Sequence, residues 1–339
     1  MPAAKRAYIT GATGFLGSHL ALRLVRDAWD VKALVRPSSD MSVLEAAGVT
    51  LIQGDVTDAA ETLRDGLADA THVFHCAAYV SDWDERERMQ RVNVEGLRNV
   101  LQAAPASTLE RFVFLGSCVV YGGGDQVDLD ESAPFVETGD GYNMTKIACE
   151  RVLRAFARET GMSTVSVRPP YMYGPRDRHF LPRVLSALSD GSWKYIDGGR
   201  RPFTLVDVRN VVEACVLAAT CDAADGQGVI ITDGASITRR EMVEILCDEM
   251  GLTPPRGSVP RWLARMLCPL YEGPAKLFGA KRAPRVNRFR LKFASAHMTF
   301  DISKARRVLG YAPKHETREG LREAARWFNK NRPDLIGHQ

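Results

Sequence analysis

Ser117, Tyr142 and Lys146 are residue types that together can move a proton to or from a carbonyl or hydroxyl oxygen. Tyr142-Asn143-Met144-Thr145-Lys146 lies where a helix is expected to begin, and its i, i+4 spacing puts the phenol and the ammonium on one helix face. A phenol of ordinary pKa, about 10, is a poor base at neutral pH, and a nearby ammonium favours its ionised form. Ser117 follows the apolar run Phe112 to Leu115, so it is expected to emerge at the carboxyl end of a sheet, where ligands of open α/β folds bind. A YxxxK spacing occurs by chance, and its usual meaning is an amphipathic helix with a solvated lysine. Its weight comes from the motifs around it.

Thr10-Gly11-Ala12-Thr13-Gly14-Phe15-Leu16-Gly17 joins an expected first strand to an expected first helix. Gly11, Gly14 and Gly17 permit a tight turn, close approach to a pyrophosphate and close helix packing, with Thr13, Phe15 and Leu16 completing the loop. The helix N-terminus then faces the phosphates. A cofactor without a 2′-phosphate is usually held by an acid ending the second strand, whereas an arginine there accepts the phosphate. This chain has Val35-Arg36-Pro37, which favours NADP(H); NAD(H) stays open if Arg36 is only a solvated surface residue. Asp55 and Val56, in Gly54-Asp55-Val56-Thr57-Asp58, could meet the adenine, although a lone GD turn is commonly a helix cap. Ala77 and Ala78 are small enough to let a flat ring approach, and His75 before them reads as a packed core residue. Tyr142 would donate or accept the substrate's proton, Ser117 would hydrogen-bond its oxygen, and Lys146 would hold the nicotinamide ribose. With an oxidised nicotinamide also nearby, the Tyr142 pKa is expected to fall toward the working range. Hydride chemistry belongs to the cofactor.

Positioning these groups requires βαβ units. Strands are expected at Arg6 to Thr10, Val31 to Val35, Val49 to Gln53, Thr71 to Cys76, Arg111 to Leu115 and Thr164 to Val167, with helices at Gly14 to Arg26, Asp84 to Ala103 and Tyr142 to Thr160. The expected fold is α/β, a Rossmann-like doubly wound parallel sheet with a smaller C-terminal substrate-binding lobe. Residues 1–170 form the dinucleotide-binding domain, 203–232 return to it, and 171–202 with 233–339, ending in a helix near Thr317 to Asn329, form the lobe.

The chain has 339 residues, 45% hydrophobic and 25% charged, enough for a sizeable core and an enclosed site. Its net charge of +4 and the lack of a basic block argue against nucleic acid as a partner. Seven scattered cysteines offer neither a disulfide framework nor zinc spacing, so free thiols and no metal are expected. No apolar run approaches the roughly 18 to 20 residues that span a bilayer, and a soluble, cytoplasmic protein is expected.

Taken together, TGATGFLG, GDVTD, HCAAYVS, Asn93 in VNVEG, Ser117 in SCVVYGG, YNMTK and RPPYMYGP resemble the extended short-chain dehydrogenase/reductase family over nearly the whole chain. The resemblance implies that Ser117, Tyr142 and Lys146 are catalytic and that Asn93 supports an active-site water network. Pro169, in RPPYMYGP, falls in the cofactor-binding set. It also implies a homodimer through helices 84–103 and 142–160. Ser117-Cys118 departs from the threonine-acid pair of nucleotide-sugar 4,6-dehydratases, which disfavours dehydration. Gly174 to Pro182, Val206 to Asn210 and Ser303 to Tyr311 resemble the 3β-hydroxysteroid dehydrogenase branch of the epimerase/dehydratase group, whose substrates are sterols and other apolar alcohols or ketones. Arg36 departs from that branch, which often carries an acid there.

From Arg256 to Lys292 there are ten basic residues (Arg256, Arg261, Arg265, Lys276, Lys281, Arg282, Arg285, Arg288, Arg290, Lys292) against the single acid Glu272. Trp262, Leu263, Met266, Leu267, Leu270, Tyr271 and Phe278 are interleaved with them. Such a segment could cap the lobe with solvated cations, meet a membrane surface peripherally through 259–292, or grip a diphosphate. The leading expectation is an NADP(H)-dependent oxidoreductase interconverting a secondary alcohol and ketone on a bulky, sterol-like or polyketide-like small molecule. A nucleotide-sugar epimerase or reductase, and a non-catalytic dinucleotide-binding sensor, are the alternatives.

Overall fold

The structure is a computed structural model that describes residues 5–81, 83, 85–277, 284 and 287–335, with the backbone alone at 275–277 and 288–289. The expected helix start at Asp84 and the side chains of Lys276, Phe278, Lys281, Arg282, Arg285 and Arg288 lie outside what it describes.

Fourteen strands follow one another along the described chain: β1 Arg6–Thr10, β2 Asp30–Val35, β3 Thr50–Gln53, β4 His72–His75, β5 Arg111–Leu115, β6 Gln126–Leu129, β7 Thr164–Arg168, β8 Tyr171–Tyr173, β9 Tyr195–Ile196, β10 Pro202–Asp207, β11 Gly228–Ile230, β12 Ser236–Thr238, β13 Ser258–Val259 and β14 Met298–Phe300. The helices are α1 Phe15–Arg26, α2 Ser42–Ala46, α3 Ala60–Leu67, α4 Arg86–Met89, α5 Gly96–Ala103, α6 Gly141–Thr160, α7 Phe180–Ser189, α8 Val208–Thr220, α9 Arg239–Met250, α10 Arg261–Leu277, α11 Arg288–Ser295, α12 Ser303–Leu309 and α13 Thr317–Asn331.

Seven strands form one sheet in the order β11-β7-β5-β4-β1-β2-β3, all paired in parallel. Because helices cover both faces, its central strands are buried on both sides; every residue of β4 is buried, His72 and His75 included. The strand order reverses between β1 and β4, which is where an open α/β sheet leaves a crevice for ligands. One apolar cluster, with Ile9, Leu20, Val113 and Val211, fills one face; a second, with Leu63, Val73, Leu97 and Phe112, fills the other.

A second sheet has the order β12-β10-β14-β6, with β8 paired to β10. It shares a separate apolar cluster, including Leu181, Leu185, Phe203, Leu246 and Phe328, with α7, α9 and α13. Residues 203–232 therefore divide: β10 belongs to the second sheet, whereas α8 packs against α1 and β11 adds the outermost strand of the first.

Local chemistry sets the helix ends. Asp140 caps α6 by accepting from the Asn143 amide at 3.0 Å, and Gly161 ends it at φ 71°. Thr238 and Glu241 form a reciprocal capping box on α9. The single helix expected over 84–103 is instead α4, a π-helical segment Gln90–Glu95, and α5. A π-turn is set by tertiary contacts of the widened turn, and periodicity does not reveal it.

Candidate active site

The turn after β1 is built so that its backbone stays open. Gly11 has φ 70°, and a Cβ on it would lie 2.7 Å from the Ala77 amide nitrogen. A Cβ on Gly17 would lie 2.2 Å from the Gly11 carbonyl oxygen, so neither position admits a side chain. Gly14 caps α1 with no side-chain hydrogen bond, which leaves the first amides of this 12-residue helix facing the crevice. Leu16 is buried in the core, while Thr13 and Phe15 are half-buried at the loop's rim. Across the crevice the Ala77 amide donates to Thr10 Oγ1 at 3.3 Å, with Ala78 exposed beside it. The cradle that a Cβ would fill and the uncapped helix fit a dinucleotide's pyrophosphate.

Arg36, at the end of β2, has a 62% exposed side chain whose Nε stands 3.9 Å from Asp55 Oδ2. Asp55 folds back on its own loop, accepting from the Thr57 amide and hydroxyl at 2.9 and 2.8 Å. Val56 is buried against Gly96. One exposed cation and one carboxylate held by its own loop thus stand together at the ends of β2 and β3.

Ser117 leaves the end of β5 as the cap of a short 3₁₀ turn, its hydroxyl accepting from the Val119 amide at 3.2 Å. The Tyr142 phenol lies close enough to the Ser117 hydroxyl for that hydroxyl to favour its ionised form, so the structure brings the two residues together. Lys146, 2% exposed, donates to the Leu115 carbonyl at 2.7 Å and lies 5.9 Å from the centre of the Tyr142 ring. In the protein alone the Tyr142 phenol is not lowered. Desolvation pushes it well above its ordinary value, against a smaller opposing pull from Ser117. Lys146 spends a hydrogen bond on the backbone, and burial also lowers its own pKa; the fall expected beside an oxidised nicotinamide is a property of the cofactor-loaded site. Pro169 is buried, and its carbonyl accepts from the Cys118 amide at 3.0 Å, tying β7 to the Ser117 turn.

Asn93, 2% exposed in the π-segment, clamps the loop after β4: its Oδ1 accepts from the Tyr79 amide at 2.6 Å, and its Nδ2 donates to the Tyr79 carbonyl at 3.0 Å. The same Nδ2 reaches Thr145 Oγ1, between Tyr142 and Lys146, at 3.2 Å. Two supporting residues escaped the sequence reading. Glu150, one turn after Lys146, pairs with Arg168 beneath Gly116, and Arg168 also donates to the Tyr121 hydroxyl at 2.7 Å. The four-residue stripe Tyr142, Lys146, Glu150 was the visible sign. His75 is 1% exposed, stacks near Phe112 and Phe114, and is held neutral by burial, as a core residue.

Near Tyr142, the half-buried Tyr171, Phe180 and Phe293 pack with the fully buried Phe203 in the apolar cluster of the second sheet. Tyr171, close enough to feel the charge of Tyr142, meets Phe293 edge-on at 4.6 Å, and Phe293 meets Phe180 at 5.2 Å and Phe203 at 5.6 Å. None of the four was singled out from sequence, because they come from four separate elements. Arg201 and Arg261 both pair with Asp125, at 2.6 and 3.3 Å. Among the described residues no cluster of His, Cys, Asp or Glu could hold a metal, and all seven cysteines are free.

A profile of the NAD dependent epimerase/dehydratase family matches residues 7–231. A Stigmatella aurantiaca protein, 4-hydroxy-2-methyl-3-oxo-4-farnesyl-3,4-dihydroquinoline-1-oxide ketoreductase, is 32% identical over 93% of this chain and 94% of its own. A Candida albicans sterol-4-alpha-carboxylate 3-dehydrogenase, decarboxylating, is 28% identical over 95% of this chain and 97% of its own. The crystal structure of gox2253 superposes with a TM-score of 0.81 at 28% identity, covering 97% of this chain and 99% of that one.

Proposed function

The chain belongs to the NAD dependent epimerase/dehydratase family and is an NAD(P)-dependent oxidoreductase of the extended short-chain type, and from that premise we propose that it reduces a ketone on a bulky apolar substrate with NADPH. The observation that carries the reading is the gathering of Ser117, Tyr142 and buried Lys146 at the carboxyl end of β5, with Lys146 5.9 Å from the centre of the Tyr142 ring. Tyr142 is raised by burial and stays protonated at neutral pH, so its proton is present for transfer to a developing alkoxide. Ser117 orients the substrate oxygen, and Lys146, already fixed on Leu115, is placed to hold the nicotinamide ribose. The dinucleotide, held by Gly11, Gly14 and Gly17, supplies hydride when bound. Asn93 keeps the Tyr79 loop and α6 in register and so preserves this alignment.

Arg36 supports NADPH over NADH: its exposed guanidinium at the end of β2 is available to pair with a 2′-phosphate. The aromatic cluster of Tyr171, Phe180, Phe203 and Phe293 supports an apolar substrate seated in the lobe formed by residues 171–202 and 233–339. The relatives named above, by their names, act on farnesylated quinoline and sterol compounds. A nucleotide sugar gains less support, since Arg201 and Arg261 are both engaged by Asp125. We further read the protein as a homodimer through α4–α5 and α6, where Val92, Ala148, Val152 and Phe156 are half-buried on the outer faces, and as cytoplasmic, in keeping with seven unpaired thiols.

The test is thermal stabilisation by NADPH and NADH, each with a sterol ketone or a sugar nucleotide, followed by NADPH oxidation with the stabilising compound. Stabilisation by NADPH with the sterol ketone, and turnover, supports the reading; stabilisation by the sugar nucleotide overturns its substrate half.

A further inference from the structure

Helix α10 has two apolar faces, and its neighbours in the chain cover only one. Ala264 and Cys268 are 5% and 1% exposed and seat the helix on the protein. Trp262, Met266 and Leu270 fall on the opposite side, because residues two apart lie roughly half a turn round an α-helix. They are 64%, 65% and 68% exposed, and Leu263 adjoins them at 37%. With Tyr271, α10 carries five of the nine large hydrophobic side chains that are exposed among the described residues, so this is one concentrated patch and not the usual scatter. The helix is firmly placed: Asp197 accepts from the Arg261 amide at 2.9 Å, and Arg261 pairs with Asp125.

Its surroundings are cationic. Lys194 and Arg256 are exposed where β9 and β13 lead into the helix, and Arg265 is exposed beside the apolar stripe. Glu272 is the single acid between Arg256 and Lys292. Apolar surface that is continuous, helical and bordered by cations matches a sheet of anionic headgroups over hydrocarbon. A second copy of this chain would set the same cations against one another.

We propose that α10 docks flat on an anionic lipid bilayer, with Trp262, Leu263, Met266 and Leu270 entering the acyl boundary and Lys194, Arg256 and Arg265 facing the headgroups. Among the described residues no helix is long and apolar enough to cross a membrane, so the contact is peripheral. Helix α11, which packs against α10, carries Phe293, which meets Tyr171 edge-on, so α10 and the aromatic cluster share a neighbouring element. The proposal holds whatever the substrate is.

The experiment is flotation of the full chain with vesicles of phosphatidylcholine alone and of phosphatidylcholine with phosphatidylglycerol, at low and high salt. Binding to the anionic vesicles is expected, weakened by salt. Trp262→Ser with Met266→Ser should lower partitioning at least about tenfold. Arg256→Glu with Arg265→Glu should also lower it, and Val127→Ser, at an exposed site elsewhere, should not. Wild-type protein that stays off anionic vesicles, or a Trp262/Met266 variant that binds as well as wild type, overturns the proposal. Overturned as well is the case in which the variant halves the solution mass, which would make the face a contact between copies. NADPH turnover on a water-soluble ketone, measured in parallel, reports the catalytic reading separately and should be unchanged in the α10 variants.

Discussion

Arg168 grips Glu150 at two points, Nε on Oε1 and Nη2 on Oε2, each at 2.7 Å, between side chains that are 2% and 1% exposed. The pair joins β7 to α6 directly under Gly116, where a Cβ would come within 2.9 Å of Glu150 Oε1. Glu150→Gln keeps the shape and leaves a guanidinium buried without its countercharge, which should cost about 3–5 kcal/mol in urea unfolding. Adding Arg168→Met should recover part of that loss, since the stranded charge goes too. Unchanged stability in the single variant would show that the pair is not the tie between these elements.

Tyr142→Phe should abolish turnover and leave NADPH affinity nearly intact, read by fluorescence titration alongside NADPH oxidation. Because burial raises the phenol, wild-type ketone reduction should show no alkaline decline below about pH 9, deprotonation being what would remove the donor. A decline centred near neutrality would mean that another group supplies the proton.

Arg36→Ala should weaken NADPH by about tenfold or more and NADH far less, since a charge-assisted contact to phosphate is the interaction removed. Thermal-shift titration of both cofactors against both proteins is sufficient. Equal weakening would mean that Arg36 only borders the adenosine.

Acid should destabilise the fold before its carboxylates titrate. Burial holds His19 at about 4 and His75 at about 3, whereas both would titrate near their ordinary value, about 6.5, once unfolded. Between those limits the unfolded chain binds more protons, so stability rises with pH there by up to about 1.4 kcal/mol per pH unit for each imidazole. Denaturant unfolding at two pH values inside that window should show the slope, and His75→Gln should reduce it. A flat profile would place these rings in contact with water.

The chemistry of the site was legible because it is written in local spacing. The glycine triplet, YxxxK and the serine after an apolar strand each depend on one turn or one helix face, and the expected β1 to β5 and β7 match those observed to within one residue at each end, whereas β6 was not expected. What escaped depends on contacts between distant segments. The π-turn around Asn93 follows from its clamp on Tyr79, and the aromatic cluster gathers Tyr171, Phe180, Phe203 and Phe293 from β8, α7, β10 and α11. Helices α2 and α3, of five and eight residues, are too short for periodicity to stand out. Spacing reports that an ammonium is near Tyr142, and only coordinates report that its hydrogen bond goes to Leu115.

Strand β11 carries a consequence for synthesis. Six of the seven strands of the main sheet are available once Arg168 has left the ribosome, but β7 stays an open edge until Gly228–Ile230 arrives to cover it. Through that interval the nascent chain presents unpaired amides and carbonyls on a Val-rich strand, the usual template for pairing between chains. Fragments that stop near residue 170 should for this reason aggregate during expression, and chains reaching past Ile231 should be the shortest that yield a dispersed domain.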